Sequence, residues 1–227
     1  MNRRDLVRHA VFDYPIAMRI RVRSVRAWPV PASYATGDAR PVVVIPGVYE
    51  TWHFLRPIAD ELSRRGHPVF VIPTIRRNTR PIPETAATIA GEVTRLGLHD
   101  AAVVAHSKGG LVGKHLMAFD DPEGRIGRLV AVATPFAGSA MAKWMPVRTL
   151  RAFLPGDPVI QSLNAQLALN ARITSIYPRF DSHIPEGSRL EGAHNVEVDT
   201  IGHFRILGVA ATLSAVVDAV ERTSPVA

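Results

Sequence analysis

The chain has no cysteine among its 227 residues, which excludes disulfide and thiolate chemistry. No apolar run approaches the roughly 18 residues needed to cross a bilayer, so no membrane-spanning helix is expected. The opening residues Met1 to His9 are charged and no apolar stretch follows them. No signal peptide is therefore expected, and Arg3-Arg4 does not read as a twin-arginine leader. A cytoplasmic protein, or one associated with a membrane surface, is the expectation. Aromatic residues are scarce at 7% and charged residues ordinary at 21%, while 47% are hydrophobic. That balance excludes a disordered or fibrous chain and suits one α/β domain with a full core. No Gly-x-x-x-x-Gly-Lys-Ser loop and no dinucleotide fingerprint appear. His183, His194 and His203 are spread over separate loops, so neither a metal nor a cofactor is expected.

What charge there is sits unevenly. Residues 1–41 hold eight arginines against three aspartates, contributing +5 to a net charge of +7. Met18 to Val25 alternates apolar and basic residues, the period of a half-exposed strand. Such a segment reads as an arginine-guarded edge, or as a patch for contact with a membrane surface. No nucleic-acid module accompanies it, so nucleic acid is not expected as a partner. Residues 1–40 are accordingly a basic N-terminal extension, and residues 41–227 the folded domain.

From residue 41 the order is regular. Strand patterns at 41–45, 68–72, 101–105, 128–133, 173–177 and 195–198 predict six strands, the first ones continuous apolar runs buried on both faces. Helical periodicity falls between them at 55–65, 84–96, 109–119 and 204–222. In the third of these helices Leu111, Val112, His115, Leu116 and Phe119 form one apolar stripe. Strands alternating with helices predict a mostly parallel sheet with helices on both faces. The interval 136–171 breaks the alternation: it carries Met141, Trp144, Met145, Val147, Leu150, Phe153 and Leu154 without a strand pattern. It reads as a small helical cap over a pocket for an apolar substrate.

Ala101 to Gly110 holds the chemistry. A buried strand stops at Ser107, small residues flank it, and a helix begins at once. This sharp strand-to-helix turn lifts a serine hydroxyl clear of the backbone, as a nucleophile requires. Ligands of a parallel sheet collect at the carboxyl ends of its strands. By that rule His203, just beyond the sixth strand, is the general base. His194 and His67 precede their strands, His115 lies on a helix stripe, and His53 and His106 border loops with other duties. Asp181, at the exit of the fifth strand, is the acid that orients the base, with Asp199 as runner-up. The order Ser107, Asp181, His203 suits this architecture. The Lys108 amide supplies one oxyanion donor at a helix start. The Val48 amide, after Pro46-Gly47, supplies the second, with Tyr49 as alternative.

These residues resemble the α/β-hydrolases, and in particular the small lipases of Bacillus type. Those carry Ala-x-Ser-x-Gly at the nucleophile, as in Ala105-His106-Ser107-Lys108-Gly109. The resemblance spans residues 41–222 and includes Thr134-Pro135, Gly138-Ser139, Asp181, Ser188 to Val196, and Gly202-His203. It implies the α/β-hydrolase fold, Ser107 as nucleophile with Asp181 and His203, and Val48 and Lys108 as oxyanion donors. Pro46 stands where the group usually has histidine, and Lys108 where it often has an apolar residue.

The resulting expectation is a serine hydrolase cleaving carboxylic esters, a lipase or esterase acting on a small-molecule or lipid ester. Tyr49, Trp52, Phe54, Trp144 and Met145 are candidates to line its substrate site. An acyltransferase using the same triad and a binding protein on the hydrolase scaffold are the alternatives.

Overall fold

The computed structural model describes residue 13 and residues 15–20, 29–144 and 151–222. Six strands form one parallel sheet: β1 (Val42–Ile45), β2 (Val69–Val71), β3 (Ala101–His106), β4 (Ile126–Val132), β5 (Ile173–Phe180) and β6 (His194–Ile201), in the order β2-β1-β3-β4-β5-β6. Val42 to Ile45 and Ala101 to His106 are buried throughout, as β-branched and alanine runs with both faces covered must be. Val44 pairs with Val104 and Val104 with Val130, so the first, third and fourth strands end level with one another.

Helices α1 (Arg56–Arg64) and α5 (Ala210–Glu221) cover one face, and α2 (Ile82–Arg95) and α3 (Lys108–His115) the other. On α1, Ile58, Ala59 and Leu62 fall three and four residues apart and all turn inward. The helix after Ser107 is shorter than its periodicity predicts. It continues as a wider π-turn over Leu116–Asp120. That change of pitch rotates Phe119 off the apolar stripe and leaves it 49% exposed. His115 binds Asp120 through Nδ1 at 2.7 Å.

The amino-terminal segment departs from expectation. Residues 15–20 are helical, so Met18 to Ile20 do not belong to an edge strand, and residues 21–25 lie outside the described set. The helical turn lays Ala17 and Ile20 on the α1–α5 side of the core while Met18 faces outward. The 136–171 interval contains α4 (Pro158–Asn164), capped at its start by the Asp157 carboxylate, which accepts the Val159 amide at 2.9 Å. Ile160 and Leu163 of α4 enter the same core cluster as Leu111 and Leu116 of α3. Among the described residues no helix is long and apolar enough to cross a membrane.

One core side chain is costly. Lys114, on α3, is fully buried, its Nζ lacks a hydrogen-bond partner among the described residues, and it rests 5.9 Å over the Phe136 ring. Burial pushes its ammonium down to about 8. Below that pH the lysine is charged in both folded and unfolded chains, and the folded state carries the desolvation penalty. Between about 8 and the ordinary value of 10.5 the folded chain releases this proton first, so stability rises with pH. Lys114→Met is expected to raise stability at neutral pH by roughly 2 kcal/mol and to flatten that rise. Urea denaturation of both chains at pH 7 and pH 10 measures the difference; equal stabilities at pH 7 would refute a buried charge here.

Candidate active site

Ser107 is the turn between β3 and α3. Its φ of 52° and ψ of −121° lie in a region that L-residues rarely occupy, a local strain on the order of 1–3 kcal/mol. Packing holds it there. A Cβ on Gly109 would lie 2.2 Å from the Ile45 carbonyl oxygen, so only glycine lets α3 press against β1 and force the turn. The Ser107 amide donates to Val132 O at 2.9 Å, and Thr134 Oγ1 donates to Ser107 O at 3.0 Å. The serine is thus anchored at the carboxyl edge of β3 and β4.

Residues leaving the next two strands meet beside it. His203 follows β6 and Asp181 follows β5; His203 Nδ1 binds Asp181 Oδ2 at 2.7 Å with both side chains buried. The His183 amide donates to Asp181 Oδ1 at 2.8 Å. Burial alone would raise the Asp181 pKa, but the charge that His203 can carry and the hydrogen bonds from His183 and His203 reverse it, so the carboxyl stays well below its usual range. Burial pushes His203 below the ordinary histidine value of 6.5, more strongly than Asp181 pulls it up. The pair at neutral pH is therefore a neutral imidazole with an ionised carboxylate on its Nδ1–H. Asp199 plays no part in it: that carboxylate is exposed and paired with Arg179 at 2.9 Å, because its strand position points it away from the sheet edge.

His106, the residue before Ser107, packs against His203. Its ring lies 4.7 Å from the His203 ring, and His106 Nε2 donates to the His203 carbonyl at 3.0 Å. Among the described residues no hydrogen bond joins Ser107 Oγ to His203 Nε2; such contacts commonly tighten only around a bound substrate. The donor atoms of Glu50, His106 and His203, and those of Asp181, His183 and His203, lie within 4.8 Å of one another. His203 Nδ1 is already hydrogen-bonded to Asp181 and His106 Nδ1 to Glu50, each at 2.9 Å or shorter.

The loop after β1 carries the expected second oxyanion donor. Gly47 to Glu50 is a tight turn closed by Glu50 N–H to Gly47 O at 3.2 Å, with Tyr49 at φ 61°. Among the described residues the Val48, Tyr49 and Lys108 amides donate no hydrogen bond, which leaves them available. The Lys108 side chain serves a different purpose from its amide. Its buried Nζ donates to Asn78 O at 2.8 Å and also to Arg80 O. Asn78 Nδ2 in turn donates to Pro46 O at 2.7 Å. The loop 76–81 is thereby fastened between the turn at Ser107 and the loop that follows β1. Burial lowers the Lys108 ammonium to about 8.

The candidate lining residues divide. Trp52 borders a cavity of about 300 Å³ with Pro46, His53, Ile75 and Arg76, and stacks on His53 at 4.2 Å. Tyr49 is half-buried in the Gly47–Glu50 turn. Phe54 is instead a core residue, buried and packed 5.7 Å from Phe204, because the short helix Trp52–Leu55 turns it under the sheet edge. Trp144 ends a short helical turn, Ala140–Trp144, and its side chain lies outside the described set, as does Met145. A second cavity of about 320 Å³, lined by Pro81, Ile82, Lys108, Ala152, Asp157 and Val159, opens between the 79–83 loop and the cap interval. Three further residues belong to the site: Asp13, Glu50 and Asn78.

The sheet order, the strained serine turn and the histidine and aspartate loops define an α/β-hydrolase fold. Solved structures share it. A mature Bacillus licheniformis lipase, BlEst2, superposes with a TM-score of 0.62 at 15% identity, covering 85% of this chain and 94% of that one. An extracellular α/β-hydrolase from a Paenibacillus species matches at 0.59 and 16% identity over 81% of this chain and all of that one. Aspergillus fumigatus lipase B matches at 0.66 and 16% identity over 86% of this chain and 56% of that longer one. No family model matches the chain, and no curated protein matches it either.

Proposed function

We propose that the protein is a serine hydrolase that cleaves carboxylic esters through an acyl-enzyme. The observation that carries this reading is the strained turn at Ser107, set at the same sheet edge as the His203–Asp181 pair. Ser107 Oγ attacks the ester carbonyl carbon while His203 Nε2 takes its proton. Asp181 holds the Nδ1–H tautomer and stabilises the imidazolium that forms. The Val48 and Lys108 amides receive the oxyanion, aided by the positive end of α3. His203 returns the proton to the leaving alcohol, and water repeats the sequence on the acyl-enzyme. The cavity beside Lys108 and the cap is the place for the acyl chain, and the basic segment 1–40 is a place for a membrane surface.

Fluorophosphonate labelling followed by peptide mapping tests the nucleophile: the adduct is expected on Ser107. p-Nitrophenyl esters of increasing chain length then separate lipase from esterase, and added alcohols expose acyl transfer. An unlabelled, inactive protein would remove the enzyme reading. The depressed His203 pKa makes a further prediction. The acid limb of kcat/KM should fall below pH 6.5, since the base stays neutral until its lowered pKa is crossed. A limb above pH 7 would contradict the burial of this imidazole.

A further inference from the structure

His203 is gripped through its own peptide groups from two directions, by residues outside the triad. On one side stands Asp13, buried, from the segment that precedes the sheet. Its Oδ2 accepts the His203 amide at 2.8 Å, and its Oδ1 accepts the Phe204 and Arg205 amides at 3.0 and 2.9 Å. Three successive N–H groups converge on one carboxylate, a nest that suits a negative charge. Gly202 makes room for it: φ there is +108°, and a Cβ would lie 2.7 Å from Asp13 Oδ1.

On the other side stands His106. A carbonyl can only accept, so the 3.0 Å contact with His203 O places a proton on His106 Nε2. Nδ1 lies 2.9 Å from both Glu50 oxygens, one of which also accepts the Gly47 amide at 2.8 Å. Both ring nitrogens therefore face acceptors. Burial works against a charge on this ring, but the Glu50 carboxylate and the His203 carbonyl more than offset it and raise the His106 pKa. The geometry thus favours a charge on the His106 ring, which with Glu50 spans from the Gly47–Glu50 turn to the His203 backbone.

We propose that Asp13 and the Glu50–His106 pair are positioning residues that clamp the main chain of His203, one at its N–H and the other at its C=O. The inference rests on His203 being the general base proposed above. It makes the amino-terminal segment part of the catalytic apparatus, and it couples the oxyanion turn to the base through one rigid link. The titratable and charged groups facing His203 are Asp13, Glu50 through His106, Asp181 and His183. The charge on His106 disfavours a second charge on His203 beside it.

The test compares the isosteric variants Asp13→Asn and Glu50→Gln with wild type, and uses Asp199→Asn as control. Each clamp variant is expected to lower kcat and the fluorophosphonate labelling rate about tenfold to a hundredfold at unchanged KM, as a misplaced catalytic group does. Glu50→Gln should also move the acid limb of kcat/KM to higher pH, because His106 loses its charge; simple destabilisation would not move it. The control should match wild type. Nitrogen-15 NMR of the histidine rings in the wild-type chain supplies a reading independent of turnover and of variant folding. Imidazolium shifts for His106 and neutral shifts for His203 at pH 7 are expected. Labelled wild type with both variants within twofold of it, or a neutral His106, overturns the clamp. An unlabelled wild type overturns the serine hydrolase reading instead, and the ring shifts then still decide whether His106 is charged.

Discussion

Ser107→Ala is expected to lower kcat for ester hydrolysis by about a million-fold, equivalent to about 8 kcal/mol of transition-state stabilisation, with KM unchanged. The loss is large because the covalent step has no substitute. His203 would still be ready to take a proton, and the Val48 and Lys108 amides would still meet an oxyanion, so a small residual rate over water remains. The structure adds a second readout. The φ of 52° at Ser107 is as strained for alanine as for serine, whereas glycine accepts it freely. Ser107→Gly should therefore be equally inactive yet more stable than Ser107→Ala by about 1 kcal/mol. Steady-state kinetics and urea denaturation of the three chains check both statements. Activity in Ser107→Ala within a hundredfold of wild type would eliminate the serine mechanism.

Asp181→Asn is expected to cost about ten-thousandfold in kcat, the scale on which loss of the orienting carboxylate acts in triads. Asp181 now accepts on both oxygens, from the His183 amide and from His203 Nδ1–H. An asparagine keeps one acceptor and offers an NH₂ to the other partner. With its oxygen kept by the His183 amide, the NH₂ faces His203 Nδ1 and favours the tautomer protonated on Nε2. That imidazole has no lone pair for the Ser107 proton. KM and the folded signal in circular dichroism should barely move. A loss under tenfold here, with a large loss in Asp199→Asn, would reassign the orienting acid.

Much of this site could be read before the fold was known, because its parts obey local rules. Buried parallel strands announce themselves as runs of valine, isoleucine and alanine, and the carboxyl-end rule then selects His203 and Asp181 from many candidates. Asp199 lies only four residues before His203, which leaves little chain to swing its carboxylate onto the imidazole, and it points outward to Arg179. Other residues left no trace. Asp13 is 190 positions from its partner amide, and Glu50 is 56 from His106. No periodicity links residues so far apart, and an acid in a basic segment reads as an ordinary surface charge. Glu50 gave one faint sign, an acid three residues past Gly47 in the turn expected to bind an oxyanion. Phe54 misled for the opposite reason. Aromatic clusters near a catalytic loop look alike whether they face substrate or support the loop from behind, as Phe54 does through Phe204. The change of pitch after His115 is likewise tertiary in origin, since the stripe through Phe119 is a fair helical pattern.

The reach of Asp13 to residues 203–205 bears on when the protein becomes competent during its synthesis. A ribosome delivers the chain from its amino end, so Asp13 emerges 190 residues ahead of its first partner amide. Strands β1 to β4 form one contiguous part of the sheet, in the order β2-β1-β3-β4, and can assemble with their helices as they appear. The loop carrying His203 follows all of them, and closing a contact across 190 residues carries the entropy of so long a loop. The turn at Ser107 is thus built into the sheet before residues 203–205 have emerged to meet Asp13. A chain with its sheet largely formed would still lack the two contacts that hold the His203 main chain.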